Sequence, residues 1–283
     1  MSESESGGGR KPHKDYGVHT NQVDILGRVT APAQVTDKLT KVSLVVPTWK
    51  SGGGRQWMPL AIDVFDAEAQ KIAKTVKASG LFRCTCFIVD RQLTTTGGEN
   101  RQLKVLQLDP YREVGFMDMP ALPNPEEPPM DGICYSRVLL AGRLFMRKDE
   151  LKDGNDTPTL IEEDGKKHCY AKVKYEDPFQ EVKDGEWPKA TFFDLRLNGK
   201  QAEVVCANCR NRAQVLVRGE LSKYEVKWEV MNKQTGQPQH PKEVRISLIP
   251  GGFQFMNTGG QGTGAQKQPS SPVDRADDDD IPF

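Results

Sequence analysis

The chain contains one order of predicted elements twice, and this internal repeat constrains its fold more than any other feature. A short amphipathic helix in the first copy has its apolar residues at i, i+3, i+4 and i+7: Ala69, Ile72, Ala73 and Val76. The same spacing returns 133 residues later: Ala202, Val205, Cys206 and Cys209. A pattern repeated at this distance predicts two copies of one structural module.

Alternating apolar and polar residues surround each predicted helix, which is typical of half-buried strands. Three such segments precede the first helix and two follow it: 23–29, 41–47, 60–64, 82–88 and 103–108. The second copy repeats this order: 138–144, 170–174, 191–197, 215–217 and 244–248. Five strands with one helix after the third are what an OB barrel needs. The predicted fold class is therefore all-β, a β-barrel fold with two tandem five-stranded OB folds and one short helix in each.

Composition divides the chain into five parts. Residues 1–20 are polar and Gly-rich and are predicted to form a flexible arm, which the first OB fold follows at 21–117. Residues 118–130 contain five prolines and predict a stiff linker. The second OB fold is expected at 131–255. Residues 256–283 are predicted to be a disordered tail, because Gly, Gln, Ser and Asp bury little apolar surface.

The tail ends in four carboxylates and an apolar tripeptide: Asp277, Asp278, Asp279, Asp280, Ile281, Pro282 and Phe283. Such an end, with its free α-carboxylate, suits capture by an apolar pocket rimmed with Arg or Lys; the alternative is an acidic solubility tail. From Met256 onward five acids and two bases give −3, and the chain's net charge of zero leaves +3 on the rest. A basic body with an acidic tail suits a core that binds a polyanion.

The chain shows no signal for export or membrane insertion. No apolar run approaches the roughly 20 residues of a membrane span, and the N-terminus lacks the pattern of a signal peptide. Six cysteines in such a chain favour reduced thiols over a disulfide framework. These features predict a cytoplasmic protein.

Aromatic and basic residues lie close together in both copies, as binding of an unpaired nucleic-acid strand requires. The candidates in the first copy lie on a predicted hairpin: Trp49, Lys50, Arg55 and Trp57. Those in the second copy lie on neighbouring segments: Tyr170, Lys172, Lys174, Trp187, Phe192, Tyr224, Lys227 and Trp228. Burial in the barrel is the alternative role for the aromatic residues. Three phenylalanines are assigned to the core: Phe82, Phe116 and Phe145.

Cys206 and Cys209 form a Cys-x-x-Cys pair, which can supply two ligands to zinc or a redox pair. Both replace apolar residues of the first predicted helix, so core packing is favoured. In the following strand, Val215 and Val217 are aligned with Cys84 and Cys86. The sequence contains no assembled catalytic group and implies no metal and no cofactor, so the protein is not expected to be an enzyme.

The second copy carries the pattern of a known family. Its third predicted strand is followed by Gly199-Lys200-Gln201-Ala202-Glu203 at the helix start and by Val215-Leu216-Val217-Arg218-Gly219-Glu220-Leu221 in the fourth strand. Together with the acidic ending, these segments resemble bacterial single-stranded DNA-binding proteins, in the two-OB-fold form of the Deinococcus and Thermus group. Phe192 falls where that family commonly has a base-stacking Trp. Pro59 takes that position in the first copy, two residues after Trp57.

This resemblance implies a homodimer that binds and protects single-stranded DNA in replication, recombination and repair, associated with the nucleoid. It also implies that the acidic tip recruits replication and repair enzymes. Two alternatives stay open. One is an RNA-binding OB-fold protein, because stacking surfaces do not by themselves distinguish sugars. The other is a zinc- or thiol-dependent enzyme that uses Cys206 and Cys209.

Overall fold

The computed structural model describes residues 19–36, 39–49, 54–112, 114–119, 133–145, 158–177, 189–210, 212–232 and 235–256. Within these ranges, the first repeat forms β1 (Thr20–Val29), β2 (Gln34–Val35), β3 (Thr40–Trp49), β4 (Arg55–Val64), α1 (Ala67–Lys74), β5 (Leu81–Thr94), β6 (Asn100–Leu108) and β7 (Gly115–Met117). The second repeat forms β8 (Tyr135–Phe145), β9 (Ile161–Glu163), β10 (Lys166–Glu176), β11 (Ala190–Asn198), α2 (Gly199–Asn208), β12 (Gln214–Glu225), β13 (Val230–Met231), β14 (Pro238–Gln239) and β15 (Lys242–Phe255). Neither helix of the described residues is long and apolar enough to span a membrane.

The first repeat closes into a barrel in the order β1, β3, β4, β6, β5 and back to β1. Its neighbouring strands are antiparallel, except that β4 and β6 run parallel. In the second repeat, β8 pairs with β10 on one side and with β12 on the other, and β11 and β15 continue these two ladders. Alternate residues such as Leu44, Ile62 and Val173 fill the interiors and are fully buried. The predicted all-β fold of OB barrels is confirmed.

An antiparallel ladder between β1 and β8 joins the two barrels. Residues 20–26 pair in order with residues 141–135, and Val23 meets Val138 at the centre. These two valines are equivalent, because each lies four residues before the Gly-Arg pair of its strand. The ladder is therefore symmetric about this pair, and a local twofold axis relates the barrels. As a result, β6, β5, β1, β8, β12 and β15 form one continuous six-stranded sheet.

Side-chain hydrogen bonds near the junction follow the same symmetry. The Asn21 side-chain oxygen accepts a hydrogen bond from the Ile88 N–H at 3.2 Å. At the equivalent place in the second barrel, the Ser136 hydroxyl accepts one from the Leu221 N–H at 3.1 Å. The Thr48 hydroxyl then crosses between barrels and donates to the Leu221 carbonyl oxygen at 3.2 Å. These buried bonds satisfy backbone groups where β5 and β12 leave the central strands.

One alignment made from the sequence is wrong by two residues. The ladders place Gly27 opposite Phe82 and Gly142 opposite Val215. Val215 therefore takes the place of Phe82, and not that of Cys84. A shift of two residues keeps every side chain on the same face of a strand, so alternation alone cannot detect the error.

Gly142 lies where β8 packs closely on β10, and a Cβ atom there would lie 2.3 Å from the Lys174 carbonyl oxygen. Gly142→Ala is expected to lower the free energy of unfolding by about 1 to 3 kcal/mol, because the backbone would have to move. Gly97→Ala is the control, since its Cβ would meet no atom closer than 3.8 Å. Chemical denaturation measures both variants. Equal stability of the two would contradict this close packing.

Candidate nucleic-acid interface

Aromatic and cationic side chains meet on the outward face of β10 and β11. Along β10, Ala171 and Val173 are buried in the barrel interior. Tyr170, Lys172 and Lys174 alternate with them and point outward, as the sequence pattern predicts. These three candidates therefore share one surface.

Phe192 on β11 lies on the same surface. It pairs with Lys174 across the ladder, and its ring centroid is 5.2 Å from that of Phe145 in an edge-to-face arrangement. Phe145, at the end of β8, is 39% exposed. The assignment of Phe145 to the core is wrong, because Leu144 before it takes the inward position. The alternation of inward and outward residues along β8 is the sequence signal that could have placed Phe145 on this surface.

Two charged contacts cross from β10 to β11. Lys172 forms an ion pair with Asp194, and the Arg196 guanidinium lies 5.9 Å from the ring centroid of Tyr170. Asp194 remains 58% exposed. Ion pairs at exposed positions contribute little to stability, so a phosphate can replace the carboxylate as the partner of the lysine.

Two further cations lie side by side on β8 and β10. Arg143 pairs with Lys174 across the ladder, and its guanidinium donates to the Arg212 carbonyl oxygen at 3.4 Å. Lys174 forms an ion pair with Glu176, whose side chain is only 9% exposed. Lys174 also pairs with Phe192, and Lys172 pairs with Phe145, so the cations of this face lie next to its aromatic rings.

The candidates on the hairpin of the first barrel are described only in part. Trp49 is the last residue of β3 and pairs with Arg55 at the start of β4. Trp57 is half-buried and pairs with Pro47. Arg55 and Trp57 lie on the same side of β4, because they are two residues apart in a strand. Lys50 lies outside the described residues.

The other candidates of the second barrel lie on different surfaces. Tyr224 is on the outward side of β12 in the six-stranded sheet, where the Arg245 guanidinium lies 3.6 Å from its ring centroid. Lys227 and Trp228 follow β12 in a bend. Trp187 lies outside the described residues.

Trp228 lines an open groove of about 880 Å³ between the barrels. The other lining residues are polar and come from β5, β6 and β11: Gln92, Asn100, Arg101, Gln102 and Asp194. Because Asp194 also pairs with Lys172, this groove begins at the edge of the β10–β11 face. The acidic tip, residues 277–283, lies outside the described residues.

The thiols near α2 are mostly buried. Burial raises the pKa of Cys209 to about 12, and burial together with nearby Cys206 raises the pKa of Cys169. Thiolates, the forms that attack substrates and bind metals, are therefore disfavoured at neutral pH. In the part of the chain that the structure describes, no three His, Cys, Asp or Glu side chains come together to hold a metal ion. Core packing accounts for these residues.

The β10–β11 face combines flat rings with cations on adjacent strands. Unpaired bases stack on aromatic rings, and phosphates contact Lys and Arg. OB barrels bind oligonucleotides on this face, formed by their second and third strands. The arrangement can therefore hold an unpaired strand along β10 and β11.

Comparisons with known proteins establish the fold. No protein-family model and no curated protein matches the chain. Among solved structures, the wild-type single-stranded DNA-binding protein from Thermus aquaticus matches with a TM-score of 0.55 and 14% identity, over 87% of this chain and 97% of that chain. The chain shares its fold. The resemblance to single-stranded DNA-binding proteins that the sequence predicts is confirmed for the fold.

Two further structures are similar. A deletion mutant of the same Thermus aquaticus protein gives a TM-score of 0.53 and 12% identity, over 89% of this chain and 98% of that chain. A Plasmodium falciparum single-stranded DNA-binding protein in complex with single-stranded DNA gives a TM-score of 0.31 and 16% identity, over 35% of this chain and 96% of that chain. At these identities the likeness to the Thermus aquaticus protein establishes the fold alone.

Proposed function

We propose that the protein binds single-stranded DNA without sequence preference. The outward face of β10 and β11 carries this proposal, because Tyr170, Phe192 and Phe145 lie there beside Lys172 and Lys174. The rings can stack bases and the lysines can neutralise phosphates. Stacking tolerates any sequence, since every base has a π face.

The cellular role that we propose is the protection of single-stranded DNA in replication, recombination and repair, at the nucleoid in the cytoplasm. This role is binding, without catalysis. The fold shared with the Thermus aquaticus protein supports it. Two barrels in one chain also offer more than one contact to a long strand, which favours coating over recognition of a short site.

Fluorescence anisotropy tests DNA binding with three labelled ligands. They are a dT oligomer, an rU oligomer of the same length and a DNA duplex. The dT oligomer is expected to bind most tightly. Its affinity should fall with salt, with a logarithmic slope of about −0.7 for each phosphate neutralised. Equal affinity for the duplex, or binding that salt does not change, would contradict the proposal. Tighter binding of rU would favour the RNA-binding alternative.

We also propose that the chain forms a homodimer through the outward face of the six-stranded sheet. Outward-pointing apolar side chains on this face are only partly buried: Phe87, Val89, Val105, Leu139 and Leu216. They come from β5, β6, β8 and β12, so they span the junction of the two barrels. A second copy that covers this face would bury these side chains and bring four barrels into one assembly.

Light scattering tests the dimer. The wild-type chain is expected at twice its mass of 31.6 kDa. Leu139→Asp should shift it towards the monomer, because a buried unpaired carboxylate is costly. Lys200→Asp, an exposed change at the start of α2, is the control and should remain a dimer. A wild-type monomer at micromolar concentration would contradict this interface.

The acidic tip is proposed to recruit replication and repair enzymes through Phe283 and the preceding acids. Its charge supports a second role. The tail carries −3 and the rest of the chain +3, so the tail can compete with DNA for the basic face until DNA displaces it.

Deletion of residues 277–283 should leave DNA affinity unchanged or increase it, because a competing polyanion is removed. The same deletion should abolish capture of replication and repair enzymes from a cell extract, identified by mass spectrometry. Phe283→Ala is the matched variant, which keeps the acids but should lose the enzymes. Weaker DNA binding after the deletion would mean that the tail has a different role.

A further inference from the structure

The ladders give each outward residue of β10 and β11 a counterpart in the first barrel. Arg143 pairs with Lys174 as Arg28 pairs with Val45, so Val45 is the counterpart of Lys174. The same registers extend along the strands. The counterparts are Lys41 for Tyr170, Ser43 for Lys172, Val45 for Lys174, Pro59 for Phe192, Asp63 for Arg196 and Thr30 for Phe145.

The outward face of β3 and β4 lacks the chemistry of its counterpart. Each of the three aromatic residues is replaced by a residue without a ring system on which a base can stack, namely Lys41, Pro59 and Thr30. Both lysines are replaced by uncharged residues, Ser43 and Val45. Trp57 is also on the outward side of β4, two residues before Pro59 and nearer the hairpin.

Three of the described cations on this side of the first barrel bind groups within the protein. Lys41 lies 4.0 Å from Asp63, whose side chain is 3% exposed, and Arg91 pairs with the same carboxylate. Burial and the nearby Arg91 lower the pKa of Lys41. Arg28 is 5% exposed and donates to the Ser79 carbonyl oxygen at 3.2 Å. Lys41 and Arg91 therefore share one buried carboxylate, although both side chains stay about one third exposed.

We propose that the two barrels bind single-stranded DNA unequally. The β10–β11 face with Phe145 is the high-affinity site that a short strand occupies first. The β3–β4 face lacks rings at the equivalent positions, and the first barrel contributes through Arg55 and Trp57 near its hairpin when the DNA strand is long enough to reach them. This inference rests on the proposed function and adds where in the chain the strand binds.

The pseudo-symmetry of the chain supplies matched variants. Tyr170→Ala with Phe192→Ala removes two rings from the second barrel, and Lys41→Ala with Pro59→Ala changes the same two places in the first. A dT oligomer of about 12 nucleotides is short enough to be held by one barrel. The second-barrel double variant is expected to bind it at least about tenfold more weakly, and the first-barrel double variant within about twofold of wild type.

Phe145 is tested in the same way against its counterpart. Phe145→Ala is expected to weaken binding of the short oligomer about fivefold or more, because one stacking ring is lost. Thr30→Ala should change binding by less than about twofold, since no ring is removed there. If the two changes had equal effects, Phe145 would not be part of the binding site.

A charge variant decides the question if loss of the rings unfolds the second barrel, which circular dichroism would reveal. Lys174→Gln keeps the size of an outward side chain, and Lys200→Gln on α2 is its control. Only Lys174→Gln should make the logarithmic dependence of DNA affinity on salt less steep, by about 0.7. The inference would be overturned if the double variants of the two barrels lost equal affinity for the short oligomer, or if the first-barrel variant lost more. If wild-type protein binds no dT oligomer at all, the proposed function itself fails.

Discussion

The ladder between β1 and β8 is the interaction on which the rest of the structure depends. Equivalent residues meet at its centre, Val23 with Val138, so each barrel contributes its first strand to the same sheet. The long hairpins beside these strands then reach the opposite repeat, and the Thr96 N–H donates to the Glu229 carbonyl oxygen at 3.0 Å. Backbone hydrogen bonds therefore determine how the two outward faces are placed. In the proposed function, a DNA strand that leaves one barrel would meet the other at a defined position.

A symmetric scaffold with unequal surfaces follows from the different demands on the two sides of each strand. Inward residues must fill a barrel, and both repeats keep them apolar, as at Leu44 and Val173. Outward residues do not fill the barrel, so they can differ more between the two repeats. The second repeat carries Tyr170 and Phe192 there, whereas the first repeat carries Lys41 and Pro59. The two repeats share the fold, but the ring positions of the second repeat have no ring at their counterparts in the first.

Much of the fold could be predicted from the sequence, because alternation and helical spacing are local signals. The five strands and one helix of each barrel, and the shared face of Tyr170 and Lys174, follow from them. Pairing partners are not local, so alternation could not place Val215 against its true counterpart. Phe145 is hydrophobic but points outward, because Leu144 already holds the inward position. The inequality of the barrels became visible only when the ladders aligned them.

Photo-cross-linking of a short dT oligomer containing 5-iodouracil tests the central claim most directly, because this base reacts with the aromatic side chains that it stacks on. With protein in excess over DNA, each strand occupies its preferred site, and peptide mass spectrometry locates the attachment. Attachment to Tyr170, Phe192 or Phe145 on the second barrel is the expected result. Attachment confined to the hairpin of the first barrel, or divided equally between the barrels, would contradict it.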